Sequence, residues 1–327
     1  MVYHAKFNSF VWQERQTKLL IEELGSIISA LSDESNLREL LKESLSVARR
    51  GFAPQAAHDA PWHLLPLIVC ESICGDFERA LPVGAAIQLM LAEGDVFDDI
   101  EDADSSESLC AKYGLAIAIN TATTLMMLAE RAISRLKARG VEDHIIIRSY
   151  DMLNYYYSLA CSGQHLDLSA SQSTPIPEDR YLKILSMKSA SQIECACHIG
   201  ALIATTDNSI IEAYSAFGHN LGMAAQIAND ILGINGGKDI AERKITLPVL
   251  YALTNANDEI RLELARTYIN HTGEAPDTEQ IKNLLSNTGA IYYATLKQEF
   301  YKQKALEALC QMADAGVSTE RIKLFLG

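Results

Sequence analysis

The chain has 327 residues, 48% of them hydrophobic and 21% charged, and its formal net charge is −14. That balance excludes a phosphate-backbone binder, which needs a basic footprint, so nucleic acid is not an expected partner. No apolar run near the roughly 18 residues of a membrane span stands out, and the start MVYHAKFNSFVWQERQ lacks the basic, apolar and small-residue stages of a signal peptide; the expectation is a soluble, cytoplasmic protein without a transmembrane segment.

Along the chain, apolar residues recur at helical spacing, for example in LLPLIVCESICGDFERALPVGAAIQLML (64–91) and YLKILSMKSASQIECACHIGALIA (181–204), while sustained two-residue alternation is hard to find. The expected class is all-α. Turn and cap chemistry divides the pattern at RRGFAPQAAHDAP (49–61), ADSSES (103–108), SASQSTPIPEDR (169–180), GINGGKD (233–239), TNANDE (254–259) and HTGEAPDTEQ (271–280). None of these is long enough for an interdomain linker, so a single domain over 1–327 is expected. The seven cysteines lie mostly within apolar helical patterns and show no paired metal-ligand spacing with histidine; they read as reduced core residues.

The first chemical signal is FDDIEDAD (97–104), directly after the apolar stretch ALPVGAAIQLMLAEGDV. On a helix Asp98 and Asp102 are i and i+4, Asp99 lies one step round, and Asp95 extends the stripe by a turn. Like charges at that spacing repel unless a cation fills the gap, and oxygen donors without histidine or cysteine point to Mg²⁺. The plain alternative is a solvated acidic helix end. Next, GQHLDL (163–168) carries Gln164 and Asp167, and Lys188 falls in a strongly apolar helix, where it is either a snorkelling surface residue or the partner of an anion. Then QIANDILGINGGKDIAERKITLPVLYAL (226–253) sets Asn229 and Asp230, again hard oxygen ligands, one turn after Gln226, with Lys238, Arg243 and Lys244 downstream. An acidic protein binds a phosphorylated substrate when divalent cations lie between the two.

In this order and spacing, DDIED, the GQ element, the Lys-Ser pair in MKSASQIECACHIGALIA, the second acidic element and RKITLPVLYAL resemble the polyprenyl synthetases, the trans-isoprenyl diphosphate synthases, over residues 62–255. The resemblance implies the isoprenoid synthase helical bundle around a central cavity, a homodimer, and three Mg²⁺ ions between two aspartate-rich helices. It implies Asp98 and Asp102 as principal metal ligands with Asp99 supporting, Asn229 and Asp230 as ligands on the second element, and Gln164, Lys188, Gln226, Lys238 and Lys244 on an allylic prenyl diphosphate. Ionisation places charge on the departing diphosphate, which metal and lysine stabilise, while a dry cavity protects the allylic cation.

The sequence departs from that pattern where the second substrate of chain-elongating members, isopentenyl diphosphate, binds. Aligned on Pro66, the segment PWHLLP places Trp62, His63 and Leu65 where a lysine and two arginines belong; Leu91 replaces a histidine, and the loop after the first motif holds only Lys112. A dianionic acceptor there lacks compensation. The motif NDILG ends in Gly233 rather than an aspartate. With Asp95, the shortened loop before Lys-x-Thr-Leu and the tail FYKQKALEAL (300–309), the chain resembles bacterial prenyltransferases that modify a tryptophan of a peptide pheromone. The expected function is therefore prenyl transfer to an acceptor such as an indole or peptide, with Asp95 or Glu93 holding or deprotonating it. The alternative is a short-chain geranyl, farnesyl or geranylgeranyl diphosphate synthase using isopentenyl diphosphate; a terpene synthase or a silent regulatory subunit are further readings.

Overall fold

Apolar faces and cap residues fix where helices start and stop in the computed structural model, which describes residues 2–32, 36–47, 62–102, 108–170, 175–269, 275–314 and 316–326. Among the described residues every regular element is helical. The predicted turn at 49–61 lies outside them, as do parts of those at 103–108, 169–180 and 271–280. The chain divides into two compact units, residues 1–155, 195–215 and 311–327 in the first and 156–194 and 216–310 in the second.

The first unit opens with α1 (Val2–Ser29) and α2 (Leu37–Val47), then a 3₁₀ turn at Trp62–Leu64 leading into α3 (Leu65–Cys74), followed by α4 (Leu81–Asp102), α5 (Leu109–Tyr113) and α6 (Leu115–Ser134). Its centre is α4, which packs most extensively on α6 and also against α1, α2 and α3. Every residue from Ala80 to Glu93 is buried, as expected of a helix that is apolar on all sides. Gly84 is where the 3₁₀ turn and α3 come closest: a Cβ there would meet Leu67 Cδ1 at 2.6 Å and the His63 carbonyl oxygen at 3.0 Å. The expectation that no stretch is apolar enough to span a membrane needs correction. Glu78–Glu101 passes by length and composition, its small residues diluting the run in the sequence, but 83% of its apolar window is buried inside the protein, which marks a core helix.

The chain continues through α7 (Asp143–Leu168), α8 (Glu178–Leu185), a π-helical turn at Ser186–Ala190, α9 (Ser191–Leu202), α10 (Asn208–Gly236), α11 (Lys238–Ala241), α12 (Leu247–Asn255), α13 (Asp258–Tyr268), α14 (Thr278–Asn287) and α15 (Ala290–Asp314). Residues 156–194 and 216–310 form the second unit. α10 serves two apolar clusters there: Met223 and Ile227 join Tyr181, Leu185, Leu247 and Leu250, whereas Ile234 joins Ile240, Leu264, Tyr268 and Ile281. Side-chain caps start α5 (Ser108), α13 (Asn257) and α14 (Asp277), each accepting from a backbone N–H three residues on.

One predicted turn is misplaced. The helix does not stop at Gly233 but runs on to Gly236 and breaks at Gly237, whose φ of +81° is left-handed and where a Cβ would lie 2.7 Å from Thr278 Cγ2. Glycine costs about 1 kcal/mol in a helix interior, and burial of Ile234 opposes that cost.

Candidate active site

In the first unit the acidic motif occupies the last turns of α4. Asp95, Asp98 and Asp99 are half-buried and Glu101 is exposed. Asp102 ends the helix, but its side chain lies outside the described residues. The last turn contains no basic residue, so these carboxylates meet both one another and the negative end of the helix dipole. Glu93, buried one turn earlier, registers the strain: burial pushes its carboxyl up to about 7, and the charges of Asp98 and Glu101 add to the effect.

The second unit brings the GQ element and Lys188 together. Gly163 lies against the π-helical turn so closely that a Cβ would come within 2.4 Å of the Lys188 amide nitrogen and 2.8 Å of the Met187 carbonyl carbon. Lys188 thus stands on a π insertion rather than in regular α-helix, and such insertions are frequent at functional sites. Its ammonium lies 3.1 Å from Asp167 Oδ2, with the lysine side chain 23% exposed. Gln164, in the same turn of α7 as Gly163, is half-buried.

On α10, Asn229 is exposed while Asp230 points inward. Asp230 Oδ2 accepts from the Tyr181 hydroxyl at 2.7 Å and from the Leu247 N–H at 3.3 Å, and Gln226 also donates to the carboxylate. Burial pushes its carboxyl up to about 7, while those donors pull the other way. Asp230 therefore ties α8, α10 and the start of α12 together, with Asn229 on the outward side of the helix. Lys238 and Lys244 converge on a residue that the sequence reading passed over: their ammonium groups lie 3.6 and 3.1 Å from the two oxygens of Glu242. Tyr181 was missed as well, and no sequence signal marks either, since each acquires its role only through tertiary approach.

The positions expected to hold isopentenyl diphosphate in elongating enzymes form core in the first unit. His63 and Leu65 are wholly buried, Leu91 is buried, and Trp62 packs on Phe325 with ring centroids 5.9 Å apart. Lys112 lies 3.4 Å from Glu43 Oε1. Of the three tyrosines before the GQ element, Tyr155 is exposed while Tyr156 and Tyr157 are buried, and the Tyr156 hydroxyl donates to Glu194, which also faces His219 Nδ1 at 3.0 Å.

The donor set suits a hard divalent cation. It offers oxygens only, and a cation relieves the repulsion at the end of α4. Among the described residues, no three ligating side chains are already gathered into one cluster.

The polyprenyl synthetase family model matches residues 64–285, most of the chain. The chain belongs to the polyprenyl synthetase family. Among relatives of this polyprenyl synthetase, the geranylgeranyl diphosphate synthase of Mycobacterium tuberculosis (strain ATCC 25618 / H37Rv) is 30% identical over 264 residues, covering 76% of this chain and 73% of the relative. The tryptophan prenyltransferase ComQ of Bacillus subtilis (strain 168) is 29% identical over 242 residues, covering 72% and 77%. Among solved structures, the geranylgeranyl pyrophosphate synthetase from Pyrococcus horikoshii Ot3 superimposes with a TM-score of 0.81 at 25% identity, covering 98% of this chain and 97% of that one. The fold is accordingly that of the isoprenyl diphosphate synthases, and the chain is an enzyme that transfers prenyl groups. Members of the family are in general magnesium-dependent.

Proposed function

We propose that this prenyltransferase ionises an allylic prenyl diphosphate and passes the prenyl group to an acceptor other than isopentenyl diphosphate, an indole of a peptide tryptophan being the acceptor class. The observation that carries this reading is the burial of His63, Leu65 and Leu91, which leaves apolar core where an elongating enzyme needs cations for a second diphosphate. The likeness to ComQ supports it. Asp98, Asp99 and Asp102 would hold Mg²⁺ on the first element and Asn229 on the second; bound there, the metal would neutralise charge developing on the leaving diphosphate. Lys188 exchanges Asp167 for a phosphate oxygen, and Lys238 and Lys244 do the same from Glu242, giving the diphosphate charge-assisted hydrogen bonds that strengthen as the C–O bond breaks. Asp95 or Glu93 then accepts the acceptor's proton.

Chain elongation with isopentenyl diphosphate is the second reading. It is favoured by the relatives themselves, several of which are geranylgeranyl diphosphate synthases, that of Sulfolobus acidocaldarius being 28% identical over 85% of this chain. The shared first step is tested by diphosphate release from farnesyl diphosphate with Mg²⁺. Replacing Asp98→Asn or Lys188→Ala is expected to slow release about 100-fold, and release at the wild-type rate by both variants would remove the ionising role from these residues.

A further inference from the structure

In the first unit, the last two turns of α3 carry Cys70 and Cys74, four residues apart and therefore on one face of the helix. Their sulfurs lie 3.7 Å apart. The chain then turns at Gly75, left-handed at φ +76°, whose N–H donates to the Glu71 carbonyl oxygen at 2.8 Å. That turn brings the next carbonyl back over the pair: the Asp76 oxygen is 3.2 Å from Cys70 Sγ and 3.8 Å from Cys74 Sγ. The loop is fixed there, because the Glu78 N–H donates to Asp76 Oδ1 at 3.0 Å. Two sulfurs and one oxygen thus form a triangle with sides of 3.2, 3.7 and 3.8 Å.

Those separations decide between the reactions open to two thiols. A disulfide needs Cβ atoms about 3.5–4.5 Å apart, whereas helical i and i+4 positions hold theirs about 5–6 Å apart, so direct oxidation would have to distort the helix. A single bridging atom needs no such closure. Around a tetrahedral zinc with bonds of about 2.3 Å to sulfur and about 2.1 Å to oxygen, two sulfurs stand about 3.8 Å apart and a sulfur and an oxygen about 3.6 Å. The triangle matches one face of that tetrahedron. We propose that Cys70 Sγ, Cys74 Sγ and the Asp76 carbonyl oxygen form a binding site for one thiophilic divalent cation, Zn²⁺ in particular, with water as the fourth ligand. On binding, each thiol releases its proton to solvent and the ion takes the place of the two hydrogens; no electron changes hands. Cys74 is exposed and gives the ion its way in, while Cys70 is wholly buried and ties it to the core. Burial pushes the Cys70 thiol up, so the pair stays protonated until an ion arrives. Sulfur donors also set this site apart from the oxygen donors of the acidic motifs, and Mg²⁺ is not its ion. The ion would fasten the end of α3 where that helix is already held, by the Ser72 and Tyr214 hydroxyls 2.5 Å apart and by the pairing of Glu71 with Arg321.

The experiment titrates Cd²⁺, a spectroscopic stand-in for Zn²⁺, into the purified, reduced full chain with Mg²⁺ in excess to occupy oxygen-only sites. Sulfur-to-cadmium charge-transfer absorption in the ultraviolet reports thiolate ligation, and thermal unfolding with and without Zn²⁺ reads the fastening of the helix. The wild-type chain is expected to show a band that saturates at one ion per chain and is displaced by Zn²⁺, and Zn²⁺ is expected to raise its unfolding temperature. Cys74→Ser, a change at an exposed position, is expected to lose the two-thiolate band, weaken binding at least about 100-fold and abolish the Zn²⁺-dependent rise. Cys310→Ser, which removes an exposed thiol from α15, is expected to bind like wild type. A wild-type chain without the band overturns the proposal, as does a Cys74→Ser chain that keeps the band and the affinity. Equal loss in Cys310→Ser also overturns it, since the thiols would then bind without the geometry of α3.

Discussion

Glu93 is a carboxyl without compensation: buried one turn before the acidic motif, it feels only like charge from Asp98 and Glu101 among the groups that shift it. Its pKa of about 7 in the folded chain against an ordinary 4.5 fixes the sign of its effect. Below 4.5 the group is protonated whether folded or unfolded; as pH rises the unfolded chain gives up its proton first, so stability falls until about pH 7, by a total of about 3 kcal/mol. In metal-free protein, Glu93→Gln is therefore expected to flatten the decline in unfolding free energy between pH 4.5 and 7 and to be the more stable form at pH 8. Urea titrations across that range check it, and a variant with the wild-type slope would show that Glu93 ionises normally. At this scale the sequence marks residues whose type and spacing suit metal and diphosphate chemistry, and conceals their partners. Asp98, Gln164, Lys188 and Asn229 are legible from type and spacing, whereas Tyr181 and Glu242 meet their counterparts only after helices have packed.

The helices themselves are legible because burial imposes the period from which they are read, and α4 is the plainest case. Its acidic end follows directly from its buried body, so charge is delivered to the edge of the core by a rigid element. Two features escape the period. The π-helical turn at Lys188 adds a residue to a repeat that is otherwise regular, and the glycines of GINGG read as a turn although flanking isoleucines hold them helical as far as Gly236. Gly163 shows what such elements cost to assemble. A methyl group there meets backbone atoms of the π turn, which cannot rotate away as a flexible side chain would. Gly163→Ala is expected to lower stability by about 1–3 kcal/mol and to shift Lys188 away from Asp167. A urea midpoint equal to that of wild type would mean that the two helices have slack that the structure does not show.

For the whole molecule, the ordered motifs make the family readable from sequence, because each acidic or basic signal is ambiguous singly and their shared order is not. The structural match to geranylgeranyl pyrophosphate synthetase extends that reading to almost the full chain. The acceptor is less legible, since the lack of lysine and arginine at these positions argues against one acceptor without naming another. A net charge of −14 on the whole chain sharpens the point: a second diphosphate would approach an acidic protein with no arginine or lysine at Trp62, His63 or Leu65 to receive it. The central claim is that ionisation of the allylic diphosphate is separated from isopentenyl diphosphate as acceptor. The most direct measurement is mass spectrometry of products formed by the purified chain with Mg²⁺ and geranyl or farnesyl diphosphate, run with and without isopentenyl diphosphate. The account predicts diphosphate release in both reactions and no diphosphate longer by one isoprene unit in either. A longer diphosphate formed only when isopentenyl diphosphate is present would contradict it and make the chain an elongating synthase.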